Sequence, residues 1–145
     1  MAGYMTKLQG YVYDGQHEAA AALENGVFAT INASGKVAAS GAVATTKFRV
    51  DEKTTLWGKP AVRLTVIAMG ATDGVHLVEN EWDINDGTDY DTSAYTCKVG
   101  DLCRIHHLLP GEQCIVSLAQ AVYDALTVGD TATVAANGTI AKASA

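Results

Sequence analysis

From Gly26 onward the chain alternates between apolar and polar positions in short runs. "VFATIN" is β-branched and aromatic, Ala33-Ser34-Gly35 follows, and "KVAA" comes next; this pattern predicts a hairpin. In "AVATTKFRV", Phe48 and Val50 share one face and Lys47 and Arg49 the other. In "AVRLTVIAMG", Val62, Leu64, Val66 and Ala68 recur at period two, with Arg63 and Thr65 opposite, the mark of a half-buried strand. "VHLVENEW" places Val75, Leu77 and Glu79 on one face and His76, Val78 and Asn80 on the other. Upstream, "GYVYDG" reads as a short strand between glycines. "QHEAAAALENG" is the one helix-like stretch, with Gly26 as its stop. It is too short to be helical alone, and alanine also fits an extended segment.

The second half carries a weak internal echo. "CKVGDLCRIHHLLPGEQCIVS" and "LTVGDTATVAANGTIAKA" both run Val-Gly-Asp, strand, turn, strand, with "PGE" and "NG" as the turns. Asn-Gly is a strong hairpin signal because both residues tolerate positive φ. Short strands at this spacing predict an all-β fold, a small barrel or sandwich. The fold expected is one domain over 1–145: a β domain over 9–145, one short Ala-rich helix or extended segment, and an N-terminal arm over 1–8, where no periodicity shows.

Composition narrows the function. The 145 residues are 48% hydrophobic and only 18% charged, against roughly a quarter charged in an average soluble domain. An Ala/Val/Thr-rich, charge-poor surface suits a protein packed against others, and equally a small β domain with an ordinary surface. The net charge is -6 and the few basic residues are scattered, which argues against nucleic acid. No apolar run is long enough to span a bilayer, and "MAGYMTKLQG" has no apolar stretch of signal-peptide length. Folding in a cytoplasm is the expectation. An odd count of three cysteines, Cys97, Cys103 and Cys114, then favours reduced, buried thiols over a Cys103–Cys114 cross-link.

Two clusters invite a metal reading. "DINDGTDYD", Asp83 to Asp91, looks like a calcium loop. An EF-hand needs glycine sixth and glutamate twelfth; here Gly87 is fifth and Ala94 twelfth, so that motif fails. An irregular site from Asp83, Asn85, Asp89 and Asp91 competes with an ordinary solvated turn, and the turn is the expectation. Cys97, Cys103, His106, His107 and Cys114 are zinc-ligand types. If "LCRIHHLL" is a strand, Cys103, Ile105 and His107 face one way and Leu102, Arg104 and His106 the other. Cys103 and His106 then cannot share an ion, and the cluster reads as a core cysteine, an exposed histidine and a half-buried one. No metal and no cofactor is expected. The nucleophile, phosphate-loop and dinucleotide motifs are all missing from the sequence. Glu79 and Glu81 read as a solvated strand face, and Trp57 and Trp82 as core or interface residues. The chain is expected not to be an enzyme.

"AAALENGVFATINASGKV", "YTCKVGDLCRIHHLLPGEQCIVS" and "LTVGDTATVAANGTIAKASA" resemble the small capsid decoration (cement) proteins of tailed bacteriophages. The shared features are an Ala-rich stretch ending in "ENGVFA", a "GD-L-R" strand and a late "VGD…NGT" hairpin, together about half the chain. The resemblance implies a non-enzymatic virion protein on the outer surface of an icosahedral shell. Its partners would be the major capsid protein and further copies of itself, as a trimer or dimer. It also implies that an N-terminal arm, here Gly3, Tyr4, Met5, Thr6, Lys7 and Leu8, contacts the shell. A second reading is a carbohydrate-binding β module, calcium-assisted through Asp83–Asp91; a third is a small β-barrel enzyme using the Cys/His strand.

Overall fold

The computed structural model describes residues 13–56, 58–70, 72–79 and 96–143. The arm residues 3–8 and the acidic stretch 83–91 lie outside them. The fold is all-β, as expected; among the described residues, two antiparallel five-stranded sheets close toward a barrel, with one short α-helix.

The first sheet runs β1-β9-β7-β3-β4, from β1 (Tyr13–Glu18), β3 (Phe28–Ile31), β4 (Val37–Ala39), β7 (His76–Val78) and β9 (Leu102–His107). The second runs β10-β6-β5-β11-β12, from β5 (Val43–Leu56), β6 (Lys59–Ala68), β10 (Gln113–Ser117), β11 (Thr131–Ala135) and β12 (Thr139–Lys142). A two-stranded ribbon pairs β2 (Leu23–Glu24) with β8 (Thr96–Cys97). The helix, α1, spans Gln120–Ala125.

The second sheet behaves as its alternation requires. Phe48, Val50, Val62, Leu64 and Val66 are buried between the sheets, and Lys47 and Arg49 are exposed. Ala68 departs from the pattern: it is exposed at the end of β6. A bulge between Val50 and Glu52 brings Glu52 into register with Arg63, so the two pair at 3.1 Å. It also turns Lys53 to the other side, where its ammonium lies 4.3 Å from the Tyr123 ring centre.

The first sheet buries both faces. Phe28 and Leu77 point into the inter-sheet core, and Phe28 meets Phe48 with ring centres 5.1 Å apart. Their neighbours Ala29 and Val78 point the other way, into a second cluster with Val37, Cys103, Ile105, Leu23 and Cys97. The β2–β8 ribbon supplies Leu23 and Cys97 to that cluster and so covers the sheet's outer face.

The predicted hairpin forms as β3–β4, with Gly35 at φ 75° between the strands. "QHEAAAALENG" is not a helix. Strand β1 runs through Gly15 to Glu18, Ala19 forms a single parallel bridge to Val37, and the chain bends at Ala20 and Ala21. Ala20 N–H donates to Val37 O at 2.8 Å, Ala19 N–H to Asp101 O at 2.9 Å, and Gly100 N–H to Ala19 O at 3.0 Å. β4 and the Val-Gly-Asp turn before β9 thus satisfy the backbone at Ala19 and Ala20, and a stretch too short to nucleate a helix yields to them. The helix that does form, α1, has no side-chain N-cap and is only six residues long. Partial burial of Val122 and Tyr123 against the core holds it.

The internal echo is real in its first half. Both Val-Gly-Asp turns place glycine at positive φ, Gly100 at 85° and Gly129 at 95°. In both, the aspartate N–H closes the turn, Asp101 onto Lys98 O and Asp130 onto Thr127 O. The second half diverges. Asn137 and Gly138, at φ 63° and 69°, connect β11 and β12 as a hairpin. The "PGE" turn instead carries the chain from the first sheet to the second and docks on β6, Gly111 N–H donating to Val66 O and Val66 N–H to Glu112 O.

Candidate functional site

The Cys/His strand is taken apart by the fold. All three cysteines are buried free thiols. Cys103 and Cys97 lie in the outer cluster, whereas Cys114 lies in the inter-sheet core, so no Cys103–Cys114 bridge forms. Burial pushes the Cys114 thiol up to about 12, with the Glu112 carboxylate adding to the effect. Burial also raises the Cys97 thiol, against a hydrogen bond from Cys103. These are poor nucleophiles at neutral pH.

Neither histidine of the pair is exposed. Cys103 and His106 do face opposite ways, as expected, but His106 is wholly buried because its face is the inter-sheet core. Its Nε2 lies 3.0 Å from Glu112 Oε2. Glu112 Oε1 accepts from Leu109 N–H at 2.7 Å. Glu112 sits at the entry to β10 and His106 on β9, so this contact ties the two sheets across the "PGE" crossover. His107 is half-buried and pairs with His76, directly opposite on β7, with His107 Nδ1 and His76 Nε2 3.2 Å apart. Spacing could not have shown this contact, because the partners are 31 residues apart. Among the described residues, no group of three or more His, Cys, Asp or Glu is placed to hold a metal ion.

Two further features offer contact surfaces. A mainly apolar cavity of about 150 Å³ opens between the start of β3, the end of β10, α1 and β12. Val27, Phe28, Val116, Leu118, Val122 and Ile140 line it, and no charged side chain does. The second is the outer face of the second sheet. There Arg49 Nε donates to Asp51 Oδ1 at 2.7 Å, the Thr65 hydroxyl donates to Asp51 Oδ2, and Gln113 Nε2 donates to Thr65 Oγ1 at 3.3 Å. Burial opposes ionisation of Asp51, but the Thr65 and Arg49 hydrogen bonds and the nearby guanidinium charges hold its pKa below the ordinary value. A separate open hollow at the same sheet is lined by Lys47, Ile67, Thr131, Thr133 and Lys142. On this face Arg49 pairs with Asp51 and Arg63 with Glu52, while Lys47 stays an exposed cation near the exposed apolar Ile67.

A third polar cluster is structural. Asp73 accepts from the Thr46 hydroxyl at 2.6 Å, the Thr45 hydroxyl at 2.7 Å and Gly70 N–H at 2.7 Å, closing the loop after β6. Those bonds, that of Thr46 foremost, hold its carboxyl below the ordinary value. A Cβ on Gly70 would lie 2.6 Å from Asp73 Oδ1, so glycine lets the carboxylate approach.

No known protein family, curated protein or solved structure matches this chain.

Proposed function

We propose that the chain is a structural virion protein that decorates the outer surface of an icosahedral phage shell as a homo-oligomeric clamp. The reading starts from the decoration-protein resemblance of three separate stretches. One observation carries it further: those stretches converge. Val27 and Phe28 from the first, Val116 from the second, and Gly138 and Ile140 from the third line one cavity. The first stretch also pairs with the second through Leu23 and Cys97. Gly138 N–H donates to Ser40 O at 2.8 Å, fastening the third beside the β3–β4 hairpin. The pairing of Arg49 with Asp51 and of Arg63 with Glu52 on the outer face of the second sheet also supports the reading, since the centre of a contact surface is depleted of unpaired charge.

In this reading Gly3 to Leu8 act as a contact arm on the major capsid protein. An extended arm gains main-chain hydrogen bonds on a sheet edge, with Tyr4 or Met5 filling a pocket. The test is co-sedimentation of purified protein with expanded shells of the major capsid protein from the same genome. Saturable binding, located by imaging at symmetry-related positions, is the expected result, and deleting residues 2–8 should weaken it sharply. Full-length protein that stays in the supernatant at all shell concentrations would overturn the reading. Sedimentation of the free protein at micromolar concentration should show a trimer or dimer.

A further inference from the structure

The geometry points to a binding site for a borderline divalent transition cation, such as zinc or nickel, between His76 on β7 and His107 on β9. The two residues are directly opposed in an antiparallel pair, which fixes their separation through the backbone. Three features make the pair a chelate.

The first is the spacing of the donor atoms. Two nitrogens each about 2.0–2.1 Å from a tetrahedral ion stand about 3.3 Å apart. His107 Nδ1 and His76 Nε2 are 3.2 Å apart, so the donors already stand at chelating separation and each ring has only to turn its lone pair from its neighbour towards a shared ion.

The second is the tautomer of His76. Its Nδ1 lies 2.8 Å from Gly74 O. A carbonyl can only accept, so Nδ1 carries the hydrogen and Nε2 presents its lone pair. A ligating imidazole held by a backbone carbonyl through its other ring nitrogen is the usual arrangement around protein metals. In the neutral, metal-free pair His107 Nδ1–H donates to that lone pair. Binding an ion requires only that the hydrogen move to Nε2 of His107, with no change in net charge.

The third is orientation and access. The ring centres are 5.0 Å apart and the planes 58° apart, so the rings are tilted rather than stacked. Both residues are half-buried, which restricts their rotamers and still leaves a path for the ion. The imidazoles fill two coordination positions, and further donors, water among them, take the rest. Imidazole donors select zinc, nickel, copper and cobalt, whereas calcium and magnesium require oxygen. The site is argued without any residue of the acidic stretch 83–91, and it does not depend on the shell-binding proposal.

The experiment uses untagged full-length protein stripped with chelator. Isothermal titration with Zn²⁺ and Ni²⁺ should show one saturable site, and Co²⁺ should give a visible absorption band from nitrogen ligation. Ca²⁺ and Mg²⁺ should give no heat. H76Q and H107Q should each weaken Zn²⁺ binding by about tenfold or more, and H17Q should leave it unchanged. H76Q, at the first residue of β7, carries the test alone if H107Q fails to fold. The proposal is overturned if Zn²⁺ does not bind up to millimolar concentration. It is equally overturned if folded H76Q binds Zn²⁺ as tightly as the native chain.

Discussion

The two large sheets use the same alternation to different ends. In the second sheet one face is buried and the other meets solvent, so Phe48 and Val50 alternate with Lys47 and Arg49. In the first sheet both faces are covered, one by the second sheet and one by the β2–β8 ribbon. Leu77 and Val78 are therefore adjacent and both fully buried, and so are Ile105 and His106. Covering a sheet twice places a polar ring such as His106 in the interior, where it needs a partner, and Glu112 supplies one.

The largest test of this comparison is Phe28→Ala, which opens the inter-sheet core at a ring with no solvent exposure. It should cost about 3–5 kcal/mol, read as a fall in the urea midpoint. If the ribbon cluster is a core of its own, Ile105→Ala should cost about 2–5 kcal/mol. The lower half of that range is expected, because two-residue strands can settle into the space. A loss well under 1 kcal/mol would show that the outer cluster is a loose cover and the first sheet is effectively one-sided.

Glu112→Ala removes the acceptor that joins His106 to the Leu109 amide. A loss of about 1–3 kcal/mol is expected, with Glu112→Gln costing less because an amide oxygen can still accept. Equal losses for the two would show that the carboxylate's charge, rather than its hydrogen bonds, ties the sheets.

The acid limb of stability reports on the loop after β6. The folded pKa of Asp73 is lowered from its ordinary value of 3.8, so its contribution is present above that value. It is lost as pH falls through the lowered folded pKa. Urea unfolding of Asp73→Asn and native protein, followed downward from about pH 5, should show the native curve falling toward that of the variant. Parallel curves would remove Asp73 from the account. The smallest effect belongs to the exposed Arg63–Glu52 pair on the second sheet: Arg63→Ala should cost about 0–1 kcal/mol. A larger loss would mean that the outer face depends on its charges for folding as well as for neutrality.

How far the sequence could be read follows from this contrast. The strands of the second sheet, the β3–β4 hairpin and the Asn137-Gly138 connection were legible because each rests on local physics: period-two burial, or residues that accept positive φ. The first sheet was harder to read, since two covered faces blur the alternation, and an exposed histidine was expected where a buried one stands. Alanine-rich residues 19–22 carry a helix propensity that neighbouring strands override through their backbone hydrogen bonds, and α1 was invisible because burial at Val122 and Tyr123, rather than caps, maintains it.

By itself, then, the sequence determined the fold class, the positions of most strands and the turn chemistry, including the shared geometry of both Val-Gly-Asp turns. Tertiary structure decided which strands became neighbours. It sent "PGE" across to the other sheet while "NG" returned along its own, joined His106 to Glu112, and brought His76 opposite His107 from 31 residues away. The reason is physical: alternation and turn propensity act over a few residues, whereas pairing and burial depend on which surfaces the whole chain brings together.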